Sequence, residues 1–418
     1  MQRLKLHRPA GHHARSLIAA IAAAASCGAW ADEPSPYYIG VTASLAHDSN
    51  VYRVPESVPM LTGGTRSDYS WGGGLVGGFD QPYGRQRFYA DANVRNNNYV
   101  HDKDLDNVSY GLNAGWDWAT IEKLSGGVTV SATQSLANQD NNSTAIPTFQ
   151  RNIVNTEQLG ARVRWGADGA LNVNGAYAHS RVSYSLTRST DSSNDSASLG
   201  ASYSVGPTLR LGAGLRFSHA VESDASYTTD GRNLDLSADW RATAQSGLSA
   251  RVSFTRQTSS GNNSLDFSGL TGALTATYAP TSKLAFNASM SRDAGTNSSF
   301  YNLTNANNGQ TVSALSENTQ TTASFLVGAT YAATAKIGVN ANVQYRHNKV
   351  GNSLNIPGAT STTHDDDTLS ASIGANYAIA RNWSLACSLA HMSRDVSGFV
   401  PYQYNANTVS CSTQFVLR

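Results

Sequence analysis

This sequence predicts an all-β fold: a transmembrane antiparallel up-and-down β-barrel of about 18 strands, with short periplasmic turns and long extracellular loops. Three observations predict it. Apolar and polar residues alternate through most of the chain, short and long connections take turns between the alternating segments, and every second segment ends in an aromatic residue on the same side. The 418 residues are 40% hydrophobic and only 14% charged, with 36 glycines and 11 prolines. That is too few charges for a disordered chain, and the apolar runs of roughly 20 residues that a helical membrane protein requires do not occur.

The N-terminus sets the compartment. Arg3, Lys5, Arg8 and Arg15 form a basic region, Leu17 to Ala25 a short apolar core, and Ala29-Trp30-Ala31 a small-x-small cleavage site. Residues 1–31 are therefore expected to be a cleaved export signal, and 32–418 a single barrel domain. A lipoprotein signal centred on Cys27 is the weaker alternative, because Ala24 stands where a larger aliphatic residue is usual. Cleavage removes four basic and no acidic side chains, leaving 26 basic groups against 29 acidic. No footprint for nucleic acid remains.

Eighteen alternating segments follow. The first nine are Tyr37–Leu45, Tyr69–Phe79, Phe88–Tyr99, Val108–Trp118, Leu124–Ser135, Thr156–Trp165, Leu171–Ser180, Ala197–Val205 and Leu209–Phe217. The second nine are Leu234–Trp240, Leu248–Phe254, Leu270–Tyr278, Leu284–Met290, Thr321–Tyr331, Ile337–Tyr345, Leu369–Tyr377, Trp383–Leu389 and Val409–Leu417. Period-2 alternation sends successive side chains to opposite faces of a strand. In the fifteenth segment Ile337, Val339, Ala341, Val343 and Tyr345 share one parity, and Gly338, Asn340, Asn342, Gln344 and Arg346 the other.

Eight short connections, near Pro82, Glu122, Asp168, Pro207, Thr243, Pro280, Thr334 and Arg381, alternate with nine longer stretches rich in Asn, Ser, Thr and Asp. Just before the short turns stand Phe79, Trp118, Trp165, Tyr203, Trp240, Tyr278, Tyr331 and Tyr377, and the last segment carries Phe415. Rings with an apolar body and a polar edge settle at headgroup level, so this row reads as the inner girdle of an outer-membrane barrel. An open sheet edge in hydrocarbon would strand unpaired backbone groups, so the first strand must pair with the last. A barrel of this size encloses an aqueous channel.

The polar parity supplies the pore lining. It places Arg87, Arg95, Arg162, Arg164, Arg210, Arg216, Arg251 and Arg346 inward against Asp91, Asp117, Asp235 and Asp239, which predicts a net basic lining and a preference for anions. No metal site, cofactor or catalytic set is expected. The mature histidines fall at strand ends or in loops of the extracellular side, "HDDD" (364–367) reads as a solvated acidic loop, with a calcium ion on its carboxylates as the alternative, and "WGGGLVGGF" (71–79) as a strand whose glycines permit close packing or bending of the wall. Cys387 and Cys411 share the lipid-facing parity of the last two strands, each twelve positions from Phe399, so a symmetric hairpin opposes them and a disulfide is expected. Two small apolar residues filling the wall is the alternative.

"HDSNVYRVP" (47–55), "YGRQRFYADANVRNNNYVHDKDLDNVSYGLNAGWDWA" (83–119) and the ending "CSTQFVLR" resemble the EpsL-type outer-membrane barrels of exopolysaccharide gene clusters, grouped with the beta-barrel porin 2 family. Asp48, Asn50, Tyr52, Arg53, Arg85, Gln86 and Arg87 carry the likeness. It implies export of a secreted polysaccharide, with periplasmic and inner-membrane export proteins as partners beside outer-membrane lipid, lipopolysaccharide and the barrel-assembly machinery. A general or solute-specific diffusion porin is the alternative function, and a loop-borne adhesin a minor one. No enzymatic activity is implied.

Overall fold

The computed structural model describes residues 35–418 apart from 61–63, 138–148, 167–169, 187–190, 223–227, 261–265, 295–300, 305–310, 315–320, 353–361 and 398–402. The export signal expected over 1–31 lies outside the described residues. The strands run β1 Tyr37–Asp48, β2 Asp68–Tyr83, β3 Gln86–Tyr99, β4 Asn107–Ala119, β5 Leu124–Leu136, β6 Ile153–Trp165 and β7 Leu171–Tyr184. They continue with β8 Ser192–Val205, β9 Leu209–Glu222, β10 Thr228–Trp240, β11 Ser246–Ser259, β12 Phe267–Tyr278 and β13 Leu284–Ala294. After a small separate hairpin, β14 Tyr301–Thr304 with β15 Thr311–Ala314, come β16 Thr321–Ala332, β17 Ile337–Asn352, β18 Thr362–Ala380, β19 Trp383–Val396 and β20 Tyr404–Leu417.

Eighteen of these strands form one antiparallel sheet in which each pairs with its neighbour in sequence, and β1 pairs with β20 from Ile39 opposite Leu417 to Asp48 opposite Thr408. The sheet is closed, as hydrocarbon requires. All eighteen predicted segments lie within its strands. The observed strands are longer, mostly at their outer ends, because the backbone ladder continues where the side chains have ceased to alternate between apolar and polar.

Two expectations are corrected by that extension. "HDDD" belongs to β18, where Asp366 opposes Asn348 and Asp367 opposes His347, and is not a loop. Carboxylates are tolerated there because the strand has risen beyond the apolar belt. At the other end, the first short turn is Gly84-Arg85, with Gly84 at φ 60, and Pro82 is still in β2 opposite Arg87. The N–H of Asp80 points to the β1 side, where it donates to the carbonyl of Pro36. Two residues later the same side has passed the start of β1, so proline's missing donor leaves no ladder bond unmade.

The faces assign themselves. Large apolar side chains stay exposed along one parity of every strand, Trp240 at 48%, Leu236 at 47% and Phe254 at 53% among them. On the other parity Asn233, Ser253, Thr255, Thr271, Ser291 and Thr322 are buried. Crowding on the concave side of a closed sheet lowers exposure, so the polar parity faces the interior and the apolar parity faces lipid. The aromatic residues stand where neighbouring strands begin: Trp165 opposes Leu124, Tyr203 opposes Leu171, Tyr278 opposes Phe286 and Tyr377 opposes Ile337.

Candidate functional site: the inner wall

The twelve residues predicted to line the pore all stand on the interior parity. Arg87, Asp91 and Arg95 lie on β3, Asp117 on β4, Arg162 and Arg164 on β6, Arg210 and Arg216 on β9, Asp235 and Asp239 on β10, Arg251 on β11 and Arg346 on β17. Most of them are paired, Arg95 standing between Gly74 and Ser109. Arg162 meets Asp117 at 2.6 Å, Arg216 meets Asp235 at 3.1 Å, and Arg164 donates from Nε and Nη2 to Oδ1 of Asn172 at 3.0 and 2.8 Å. Arg210 reaches Oγ of Ser204 at 3.3 Å, and Arg346 stands between Ser324 and Thr368. Asp91 accepts from Asn113 and Asp239 from Ser249.

Sequence reasoning missed more than half of the interior aspartates. Asp48, Asp68, Asp80, Asp293 and Asp366 share the interior parity, and so does Arg394. Asp80 takes both bonds of Arg87, at 2.7 and 2.6 Å; Asp293 lies 3.5 Å from Arg251; Asp366 takes both bonds of Arg394, at 2.9 and 2.8 Å. Arginine and aspartate are then equal in number among the described strand side chains of this face. The expected net basic lining is corrected to a balanced one. The missing carboxylates sit at strand ends that the apolar alternation does not mark; Asp80, next to Pro82, was hidden in an assumed turn.

The charges are not equally available. Arg87 and Asp80 are each about half exposed, and Arg162 is 64% exposed, whereas the Arg394–Asp366 pair is covered to 14% and 9%. Asp80, Arg87, Asp117 and Arg162 follow one another across β2, β3, β4 and β6, with Arg87 directly opposite Asp117 and its guanidinium 5.0 Å from the ring centre of Tyr89. They form an accessible track of alternating sign on one wall, near the short-turn end. The step over β5 is made by Gly127: a Cβ there would lie 2.5 Å from Oδ1 of Asp117. Gly78, in the glycine-rich stretch of β2, leaves room in the same way for the ring of Tyr38, which a Cβ would meet at 2.7 Å.

At the opposite end the connections β1–β2 and β3–β4 fold into a compact knot. Tyr52, Val54 and Leu105 are buried together, with Tyr99 and Phe149 packed against them. Arg53, at φ 51, occupies a backbone region few side chains adopt; its guanidinium is held by both carboxylate oxygens of Asp48, at 2.8 and 2.7 Å, and by the carbonyl of Asn50. Asp68, with a fully buried side chain, accepts the backbone N–H groups of Tyr69, His101 and Asp102. Burial, helped by the nearby carboxylate of Asp102, pushes the Tyr52 phenol well above the ordinary tyrosine range.

Cys387 and Cys411 oppose each other in the register, with Cα atoms 4.1 Å apart, and are joined by a disulfide on the lipid-facing side of β19 and β20.

A closed 18-stranded antiparallel sheet with an exposed apolar belt, an aromatic girdle and a polar interior defines an outer-membrane β-barrel of the size that encloses a channel. Solved structures similar to it include outer-membrane proteins. OpdK of Pseudomonas aeruginosa, solved with vanillate, is 13% identical over 91% of this chain and 99% of its own, with a TM-score of 0.47. OccAB4 of Acinetobacter baumannii is 11% identical over 92% and 99%, with a TM-score of 0.46. OccK2 of P. aeruginosa, in complex with glucuronate, is 10% identical over 92% and 96%, with a TM-score of 0.44. No protein-family model matches the chain, and no curated protein sequence does.

Proposed function

We propose that the chain forms an outer-membrane diffusion channel for small polar solutes. The observation that carries this reading is the inner wall: serine, threonine, asparagine and glycine around paired arginines and aspartates, with an accessible track of alternating charge from Asp80 to Arg162. Short hydroxyl and amide groups exchange hydrogen bonds with a hydrated solute without retaining it, and balanced charges oppose neither sign. No catalytic role is assigned: the histidine–aspartate pairs His179–Asp195, His219–Asp230 and His347–Asp367 stand on the outward parity, and His101–Asp68 belongs to the rim knot, where Asp68 is fully buried. Purified protein in planar bilayers should give discrete conductance steps, and liposomes containing it should swell in neutral sugars. Folded barrel that does neither would refute the channel reading.

Export of a secreted polysaccharide is the second reading, supported by the resemblance to EpsL-type barrels. Its positions Asp48, Asn50, Tyr52 and Arg53 fall in one knot at the outer rim, while Arg85 lies in the first short turn and Gln86 opens the strand that follows it. On this reading periplasmic and inner-membrane export proteins engage the short turns, and the barrel-assembly machinery inserts the chain as it does other barrels. A deletion strain that loses surface polysaccharide while accumulating it in the periplasm would move this reading to first place; unchanged surface polysaccharide would remove it.

A further inference from the structure

On β10, β11 and β13 the outward parity turns basic at one height. Arg232 on β10 and Arg256 on β11 stand directly opposite each other, and Arg292 on β13 faces the same way. Arg232 lies eight residues above Trp240 on its own strand, Arg256 eight above Leu248, the partner of Trp240, and Arg292 eight above Leu284, the partner of Tyr331. At about 3.3 Å per residue on a strand tilted by about 40°, eight residues climb roughly 20 Å, and the apolar band of such barrels is about 25 Å tall. Long guanidinium side chains rising from that level reach the headgroups of the outer leaflet. Beneath them the same face is apolar, with Leu234, Phe254 and Leu270 exposed.

Like charges directly across a sheet are destabilising unless something neutralises them. Inside the barrel that something is aspartate, as at Arg87, Arg162, Arg216 and Arg251. Outside, Arg232, Arg256 and Arg292 are exposed and make no hydrogen bond or ion pair among the described residues. Asp230, two positions further out on β10, is engaged by His219 at 2.8 Å. An unneutralised arginine pair over an apolar face, at headgroup height, is complementary to an anionic group borne on acyl chains. Arginine forks match phosphate oxygens two at a time.

We infer that Arg232 and Arg256, with Arg292 beside them, form a docking site for the phosphate groups of lipopolysaccharide on the outer face of the barrel. The site depends on the orientation of the barrel and is independent of what the interior passes.

The test is a titration of the purified barrel, in neutral detergent, with lipopolysaccharide, with its enzymatically dephosphorylated form and with phosphatidylglycerol, read by native mass spectrometry. Arg232→Ser/Arg256→Ser should weaken lipopolysaccharide binding at least about tenfold, the scale of losing charge-assisted bonds, and removal of the phosphates should do the same to the wild type. Arg181→Ser, on the outer face of β7, should leave binding unchanged. Arg232→Lys/Arg256→Lys, which keeps the charge and loses the fork, should fall between and serves if the serine variant does not fold. Equal binding of the dephosphorylated form, wild-type affinity in the folded double variant, or equally tight phosphatidylglycerol would overturn the assignment.

Discussion

Asp117 and Arg162 meet at 2.6 Å from strands that are not neighbours, and Gly127 of the intervening strand lies beneath their bridge. The pair is solvent-facing, so it adds little to stability, at most about 1 kcal/mol. Its influence is on the field inside the barrel. With arginine and aspartate balanced among the described strand residues of the interior face, the wild type should show a reversal potential close to non-selective under a salt gradient in planar bilayers. Asp117→Asn should move it toward anion selectivity and Arg162→Ser toward cation selectivity, by similar amounts. Gly127→Val, which separates the partners but keeps both charges, should stay near the wild type. A shift in the same direction from both charge variants would contradict the interior placement.

The face assignment can be checked at the membrane midplane. Leu236 is four residues above Trp240 on the lipid side of β10, and Ser131 faces the interior from the middle of β5. Leu236→Arg should cost about 2–4 kcal/mol of folding free energy, whereas the same residue at Ser131 should be accepted in an aqueous interior. Heat-modifiable gel mobility after refolding into lipid separates the two outcomes, and equal loss of folded barrel would reject the register.

The disulfide predicts no free thiol. Unreduced protein treated with an alkylating agent should gain no label at Cys387 or Cys411 in mass spectrometry. Cys387→Ser/Cys411→Ser should still fold, with a loss toward the lower end of about 2–4 kcal/mol, because the two strands are already paired along their length. Two alkylated cysteines would remove the bond.

The rim knot carries a pH dependence. The buried Tyr52 phenol is raised above the ordinary value of 10.0, so at alkaline pH the unfolded loop ionises before the folded one does. Stability of the knot is therefore fully present below that ordinary value and falls as the pH climbs past it. The difference between the ultraviolet titrations of wild type and Tyr52→Phe should show one tyrosine ionising later than the exposed ones, and limited proteolysis within residues 49–67 should accelerate over the same range in the wild type. An ordinary titration of Tyr52 would contradict its burial.

What the sequence made legible is what lipid imposes. Leu234, Leu236 and Ala238 alternate with Asp235, Ser237 and Asp239 because one side of the strand meets hydrocarbon and the other water, and Trp240 ends the run at the headgroups. Beyond the apolar belt that constraint lapses, and so does the signal. Asp293 and Asp366 lie there, and β18 runs seven residues past the outer end of the segment first marked by Leu369. The rim knot was illegible for a different reason: the burial of Asp68 beneath His101 and Asp102 joins residues 33 and 34 positions apart. No periodicity encodes such a contact.

The bond between Cys387 and Cys411 also dates an event in the life of the chain. Each cysteine is four residues above the girdle, counted from Trp383 and Phe415, on the side that hydrocarbon covers. Thiol oxidants work in water through an ionised sulfur, and neither the oxidant nor the thiolate is stable in the middle of a bilayer. The two sulfurs must therefore have met while the last hairpin was still in the aqueous periplasm. The final two strands would then arrive at the membrane already locked in register with each other, leaving their seams with β18 and β1 to be sealed there.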